Sequence, residues 1–190
     1  VVLYNMNRVE ESISDFTKAL TFKQDKPEPW IGRANAYSTI KKFDLALHDY
    51  NKFFSLKAGE VQDYIWRGVA HYNLGKLDSA LIDFEQALTM EGKRDEALYW
   101  VALVAYQKAD YNKALDYFNQ SLAIKEYSDA YSWRGLAKFN LKMVNESIED
   151  YTKAIKMNPR DVAAYVNRSI SYNVLGEKEK SFNDILKAKE

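Results

Sequence analysis

Hydrophobic and small residues recur along this chain at helical rather than strand spacing, and the same arrangement returns about every 34 residues. One column of small residues reads Ser12, Ala46, Ala80, Ala114, Ser147 and Ser181. Four residues on stand Phe16, Tyr50, Phe84, Phe118, Tyr151 and Ile185, and three further Ala19, Phe53, Ala87, Ser121, Ala154 and Ala188. Spacings of four and three put each trio on one face of a helix, and the small residue lets a second helix approach closely. One step of the ladder is a residue shorter, in the connection around Glu126 to Ser128.

Ahead of each such helix lies another with its own stripe: Trp30, Arg33, Ala34, Tyr37; Tyr64, Arg67, Gly68, His71; and Tyr165, Arg168, Ser169, Tyr172. The turn between the two helices carries Gly75 and Gly176, which suit a left-handed C-cap. Asp44, Asp78 and Asn145 are then expected as N-caps of the second helices, and Pro159 as the stop of one of them. The pattern predicts an all-α chain of antiparallel helix pairs. Its divisions are a partial repeat over 1–26, repeats over 27–60, 61–94, 95–127 and 128–161, and a truncated repeat over 162–190.

These residues resemble the tetratricopeptide repeat family, with its W-x2-L-G-x2-Y, then A-x3-F, then P pattern. The resemblance covers essentially the whole chain. Arginine stands where the family has leucine, proline closes only one repeat, and tryptophan fills the first slot only at Trp30. The resemblance implies a right-handed α-solenoid with the first helices along a concave inner wall. It also implies a non-catalytic role in protein binding. The clamp with which some members hold a terminal carboxylate is absent: Asn35 fits one place, while Ile31, Trp66, Glu96 and Trp100 occupy others.

One column couples the two helices of a repeat. Arginine occurs at Arg33, Arg67, Arg134 and Arg168 but is replaced by Val101 in the middle repeat. Sixteen residues later come Asp49, Asp83, Asp150 and Asp184, with Tyr117 at the middle repeat, so the two residue types disappear together. This predicts an intra-repeat, bidentate ion pair.

The first helices have a second apolar side. On the helix beginning near residue 61, Gln62, Ile65, Trp66, Val69, Tyr72 and Asn73 point away from the core stripe. The equivalents are Glu96, Tyr99, Trp100, Leu103, Tyr106 and Gln107, then Asp129, Ser132, Trp133, Leu136, Phe139 and Asn140. Trp66, Trp100 and Trp133 thus recur in register with Tyr72, Tyr106 and Phe139 beside them, and Tyr99 adds a ring. This side has two readings, a binding wall or simple packing of neighbouring first helices. A polar column of Asn5, Thr39, Asn73, Gln107 and Asn140 runs alongside and could meet the backbone of an extended peptide. The expected peptide-binding residues are therefore Trp66, Tyr72, Asn73, Tyr99, Trp100, Tyr106, Gln107, Trp133, Phe139 and Asn140. Glu28, Gln62, Glu96 and Asp129 lend the first turns an acidic tint.

Composition narrows the partner further. Lysine plus arginine and aspartate plus glutamate are equal at 27 each, which argues against nucleic acid; single-stranded RNA stacking on the rings is kept as a minor alternative. Absence of cysteine removes disulfides, thiolate metal sites and a cysteine nucleophile. No metal, cofactor or enzyme motif is found, and His48 and His71 read as an outer and a core position. No apolar run reaches the roughly 20 residues of a membrane span. The cytoplasm fits slightly better than the periplasm. The opening at Val1 within a helix suggests a fragment whose apolar Val1, Val2, Leu3 and Met6 could support assembly or self-association through the ends. The partner expected is a protein or peptide, with a homo-oligomer as the alternative.

Overall fold

The computed structural model describes residues 2–189, with side chains from 8 to 189. Asn5, Val1, Val2, Leu3 and Met6, which entered the polar column and the end-association expectation, lie outside the described side chains. The described residues form eleven α-helices and no strand. They divide into two compact units, Val1–Gly92 and Lys93–Glu190.

The first unit holds α1 (Val2–Phe22), α2 (Pro27–Thr39), α3 (Phe43–Leu56), α4 (Val61–Asn73) and α5 (Leu77–Met90), each packed on the next. Its core joins successive pairs: Ala34 of α2, Ala46, Leu47 and Tyr50 of α3, and Ala70 of α4 form one buried cluster. The second unit holds α6 (Asp95–Gln107), α7 (Tyr111–Ile124), α8 (Ser128–Asn140), α9 (Val144–Met157), α10 (Val162–Val174) and α11 (Lys178–Lys187). There Leu122, Ala130, Tyr131, Ala154 and Ala164 do the same for α7 to α10. The small-residue column works as its spacing requires: Ala46, Ala80, Ala114 and Ser147 are wholly buried, and the aromatic four residues on is wholly buried at Tyr50, Phe84, Phe118 and Tyr151.

Within each pair the turn has a fixed form. In the α4–α5 turn the Gly75 amide donates to Tyr72 O at 3.0 Å and the Lys76 amide to His71 O at 2.9 Å, the Schellman arrangement. It requires a left-handed residue, supplied by Gly75 (φ 71°) and Gly176 (φ 76°) as expected, but by Lys41, Ala109 and Lys142 in the other turns. The turn occupies only three residues. Helices α3, α5 and α9 have therefore begun at Phe43, Leu77 and Val144, and Asp44, Asp78 and Asn145 are second residues of the helix, not its N-caps. Acid there complements the helix dipole instead. Side-chain caps occur elsewhere, at Asp110 on the Lys113 amide (3.1 Å) and Asp161 on the Ala164 amide (3.0 Å).

The arginine column forms the expected pairs. Arg33 Nε and Nη2 donate to Asp49 at 2.6 and 3.0 Å, and Arg67 to Asp83 at 2.9 and 2.5 Å. Arg134 reaches Asp150 at 2.8 and 2.7 Å, and Arg168 reaches Asp184 at the same two distances. All four carboxylates are buried. A third guanidinium arm ties the repeat to the preceding helix: Arg33 to Thr17 (3.1 Å), Arg134 to Asn119 (2.8 Å) and Arg168 to Thr152 (2.9 Å). Arg67 instead lies over the Phe54 ring, 3.8 Å from its centroid. Planar, always-charged guanidinium suits this double duty better than lysine.

Candidate functional site

The ring-bearing side of the first helices starts from one local fact: each helix is only 13 residues long and spends its core stripe on its own partner. In the first unit this leaves Trp66 exposed at 38%, Tyr72 half-buried and Asn73 exposed. One N–H of the Asn73 amide donates within the helix, to Val69 O at 2.8 Å. Ile65, expected on this side, is wholly buried, and so, at 4% exposure, is Leu103 of α6. Ile65 lies at the margin between the two sides, whereas Leu103 lies well within the outer side and is buried nonetheless.

In the second unit the expected residues fall into two groups. Tyr99 is half-buried, with its ring 5.4 Å from Tyr127, 5.9 Å from Phe118 and 5.7 Å from Trp100. Tyr99 therefore packs α6 against the next repeat. Trp100, also half-buried, borders a hollow of about 600 Å³ with Arg94, Asp95, Glu96, Lys125 and Tyr127. Burial pushes Tyr127 up to about 12, its hydrogen bond with Ser121 pulling the other way. The hollow thus presents neutral rings and a balanced set of charges.

The second group joins α6 to α8. The Tyr106 ring stands edge-on to Trp133, with centroids 5.3 Å apart, and the Asn140 amide donates to the Tyr106 hydroxyl at 3.1 Å and to Leu136 O at 2.9 Å. Burial raises the Tyr106 pKa, and the Asn140 hydrogen bond opposes it. Phe139 and Asn140 are half-buried and Gln107 is exposed. Inter-repeat packing consequently uses part of the ladder, and the Asn140 nitrogen is not available to meet a peptide. One side of Trp133 remains open: with Asp129, Ser132, Leu136, Asp161, Ala163 and Asn167 it lines a pocket of about 240 Å³.

Asp161 and Asn167 were not among the expected site residues. Asn167 follows Trp133 by one repeat, so continuing the tryptophan column would have found it. Asp161 comes from the turn before α10 and carries only the signal of an N-cap. His48 is exposed beside Trp30, and His71 is half-buried against Asp83. Among the described residues no group of acidic or histidine side chains is arranged to hold a metal ion, and no helix is long and apolar enough to cross a membrane.

Repeated helix pairs with Schellman turns and a stepped arginine column define an all-α helical repeat protein of the solenoid class. Tetratricopeptide repeat models match residues 65–131 and 128–161, together half of the chain. The chain belongs to the tetratricopeptide repeat family. No curated protein matches the sequence significantly. Among solved structures it is similar to the Cut9-Hcn1 hetero-tetramer of the APC/C, with a TM-score of 0.82 at 18% identity over 96% of this chain and 36% of that one. It is also similar to YrrB, described as a tetratricopeptide repeat protein with an unusual peptide-binding site, with a TM-score of 0.69 at 23% identity over 91% and 90%. MamA from Desulfovibrio magneticus RS-1 gives a TM-score of 0.77 at 17% identity over 86% and 93%. At these identities the likeness is one of fold. The chain spans about a third of the length of the Cut9-Hcn1 chain it matches.

Proposed function

We propose that this chain is a non-catalytic scaffold that holds an extended segment of another protein against the ring-bearing side of its first helices. The observation that carries the reading is the state of the indoles. Trp66 is exposed, and Trp100 and Trp133 each border an open hollow, although each of these helices also packs on its own partner helix. Tryptophan left at a surface at the same sequence position of successive repeats is the kind of anchor around which binding energy concentrates. The peptide-binding description of YrrB agrees with this use of the fold. Tyr99, Tyr106 and Asn140 act as the packed support, and Trp66, Trp100 and Trp133 as contacts.

The test is capture of segments from a random heptapeptide display library by the intact chain and by the Trp66→Ala, Trp100→Ala, Trp133→Ala triple variant. Enrichment of defined peptides by the intact chain alone, with a shift of its tryptophan emission, supports the reading. Equal enrichment by both proteins removes it. A second reading, association through the last repeat, is favoured by one observation: Phe182 and Val174 are 62% and 58% exposed on α11 and α10. Sedimentation that stays monomeric as concentration is raised excludes it.

A further inference from the structure

The two hollows beside Trp100 and Trp133 differ in charge. Arg94 and Lys125 stand with Asp95 and Glu96 at the first, whereas the second has Asp129 and Asp161 and, among the described residues lining it, no basic side chain. Asp161 is held rigidly: one carboxylate oxygen accepts from the Ala164 amide and the other from the Ser132 hydroxyl, each at 3.0 Å. Both donors are neutral, so the negative charge is positioned without being cancelled. The remaining wall is the Trp133 indole with Leu136, Ala163 and Asn167.

Size and lining narrow the occupant. A pocket of about 240 Å³ falls below the roughly 300–1,000 Å³ of sites for whole small molecules. It offers too few oxygens, on too apolar a wall, for a divalent cation that needs about six. A long aliphatic stem ending in a cation fits both halves of the wall: methylenes along Leu136 and Ala163, charge between the carboxylates and over the indole. We propose that this pocket takes a lysine or arginine side chain of the bound segment, so that the α8–α10 register selects a basic residue. Arginine fits best, because its planar fork can meet a carboxylate while stacking on the ring. The proposal rests on the segment-binding reading above and adds to it the chemistry of one position.

The experiment uses fluorescent heptapeptides, randomised except for a central arginine, lysine, glutamine or glutamate, against the intact chain and the Asp129→Asn, Asp161→Asn double variant. Asparagine keeps the cap on α10, and the exposed Asp129→Asn alone serves if the double variant does not fold. The expected result is a preference of about tenfold for arginine or lysine over glutamine. It should vanish in the variants while a chain carrying Glu149→Gln, an exposed acid of α9 outside the pocket, retains it. Binding with no preference for a basic centre, or a preference that survives both substitutions, overturns this proposal and leaves the scaffold reading standing. No binding of any peptide removes both.

Discussion

The helix pairs α4–α5 and α6–α7 stand at the same place in successive repeats and are held together by different chemistry. In α4–α5 the guanidinium of Arg67 grips Asp83, which is 2% exposed, and Gly68 lies against the Phe84 ring. In α6–α7 the same positions carry Val101, Tyr117, Ala102 and Phe118, and seven residues of α6 are buried. Both pairs keep the same helix lengths and the same turn. The ion pair is therefore one of two interchangeable ways to close the hairpin. Its two directional bonds hold Arg67 opposite Asp83 in a single alignment.

The largest effect expected follows from breaking only half of that pair. Asp83→Ala leaves a mostly buried guanidinium without its carboxylate and should cost about 3 kcal/mol, measured from urea unfolding. Converting both positions to those of the neighbouring pair, Arg67→Val with Asp83→Tyr, should come within about 1 kcal/mol of the parent. A double substitution as damaging as the single one would show that the two pairs are not interchangeable.

Next comes the close approach. A Cβ at Gly68 would sit 2.5 Å from the Phe84 ring, which is wholly buried and cannot swing clear. Gly68→Ala should cost about 1–2 kcal/mol, after a gain of about 1 kcal/mol from helix propensity. Ala102 is accommodated at the equivalent place in α6, so the penalty belongs to the spacing of α4 and α5 rather than to the fold. Unchanged stability in Gly68→Ala would show that this spacing adjusts freely.

These contrasts also show what the sequence could reveal. The ion pair was legible because the repeats compare themselves: arginine and aspartate vanish together at Val101 and Tyr117, which no single repeat could show. The core stripe was legible for the same reason. The helix starts were not, because the turns before α3, α5 and α9 are closed by backbone bonds without a side-chain cap, and Asp44 and Asp78 imitate caps from the second position of the helix. Burial of Ile65 and Leu103, and the use of Tyr106 and Asn140 as supports for Trp133, depend on how neighbouring helices overlap. Period alone carries no information about that distance. Asp161 escaped because it reaches the Trp133 pocket from the following turn.

The turns give a smaller and opposite pair of effects. Gly75 and Ala109 occupy the same left-handed position, at φ 71° and 59°. Nothing lies within 4 Å of a Cβ placed on Gly75, so Gly75→Ala should cost only the backbone strain, about 1 kcal/mol. Ala109→Gly should relieve the same strain and stabilise by about 0.5 kcal/mol, after allowing for the freedom glycine gains in the unfolded chain. Thermal midpoints moving in the same direction for both substitutions would contradict this account.

The smallest effect separates the pairs by pH. His71 of α4 faces Asp83 at 3.8 Å, where α6 has Ala105. Burial lowers the His71 pKa; the Asp83 carboxylate raises it, while Arg67 and Lys76 lower it further. Its Nδ1 is buried with no hydrogen-bond partner among the described residues, so charging the ring would leave a buried N–H without an acceptor. The unfolded chain then takes up the proton more readily than the native one, and stability must rise with pH across that interval. The contribution is complete above the unfolded value of about 6.5 and is lost as pH falls through the lower native value. His71→Ala, which copies the α6 residue, should flatten the change in urea midpoint between pH 7 and pH 5 relative to the parent. A parallel profile in the two proteins would mean that the α4–α5 pair owes its acid sensitivity to other groups.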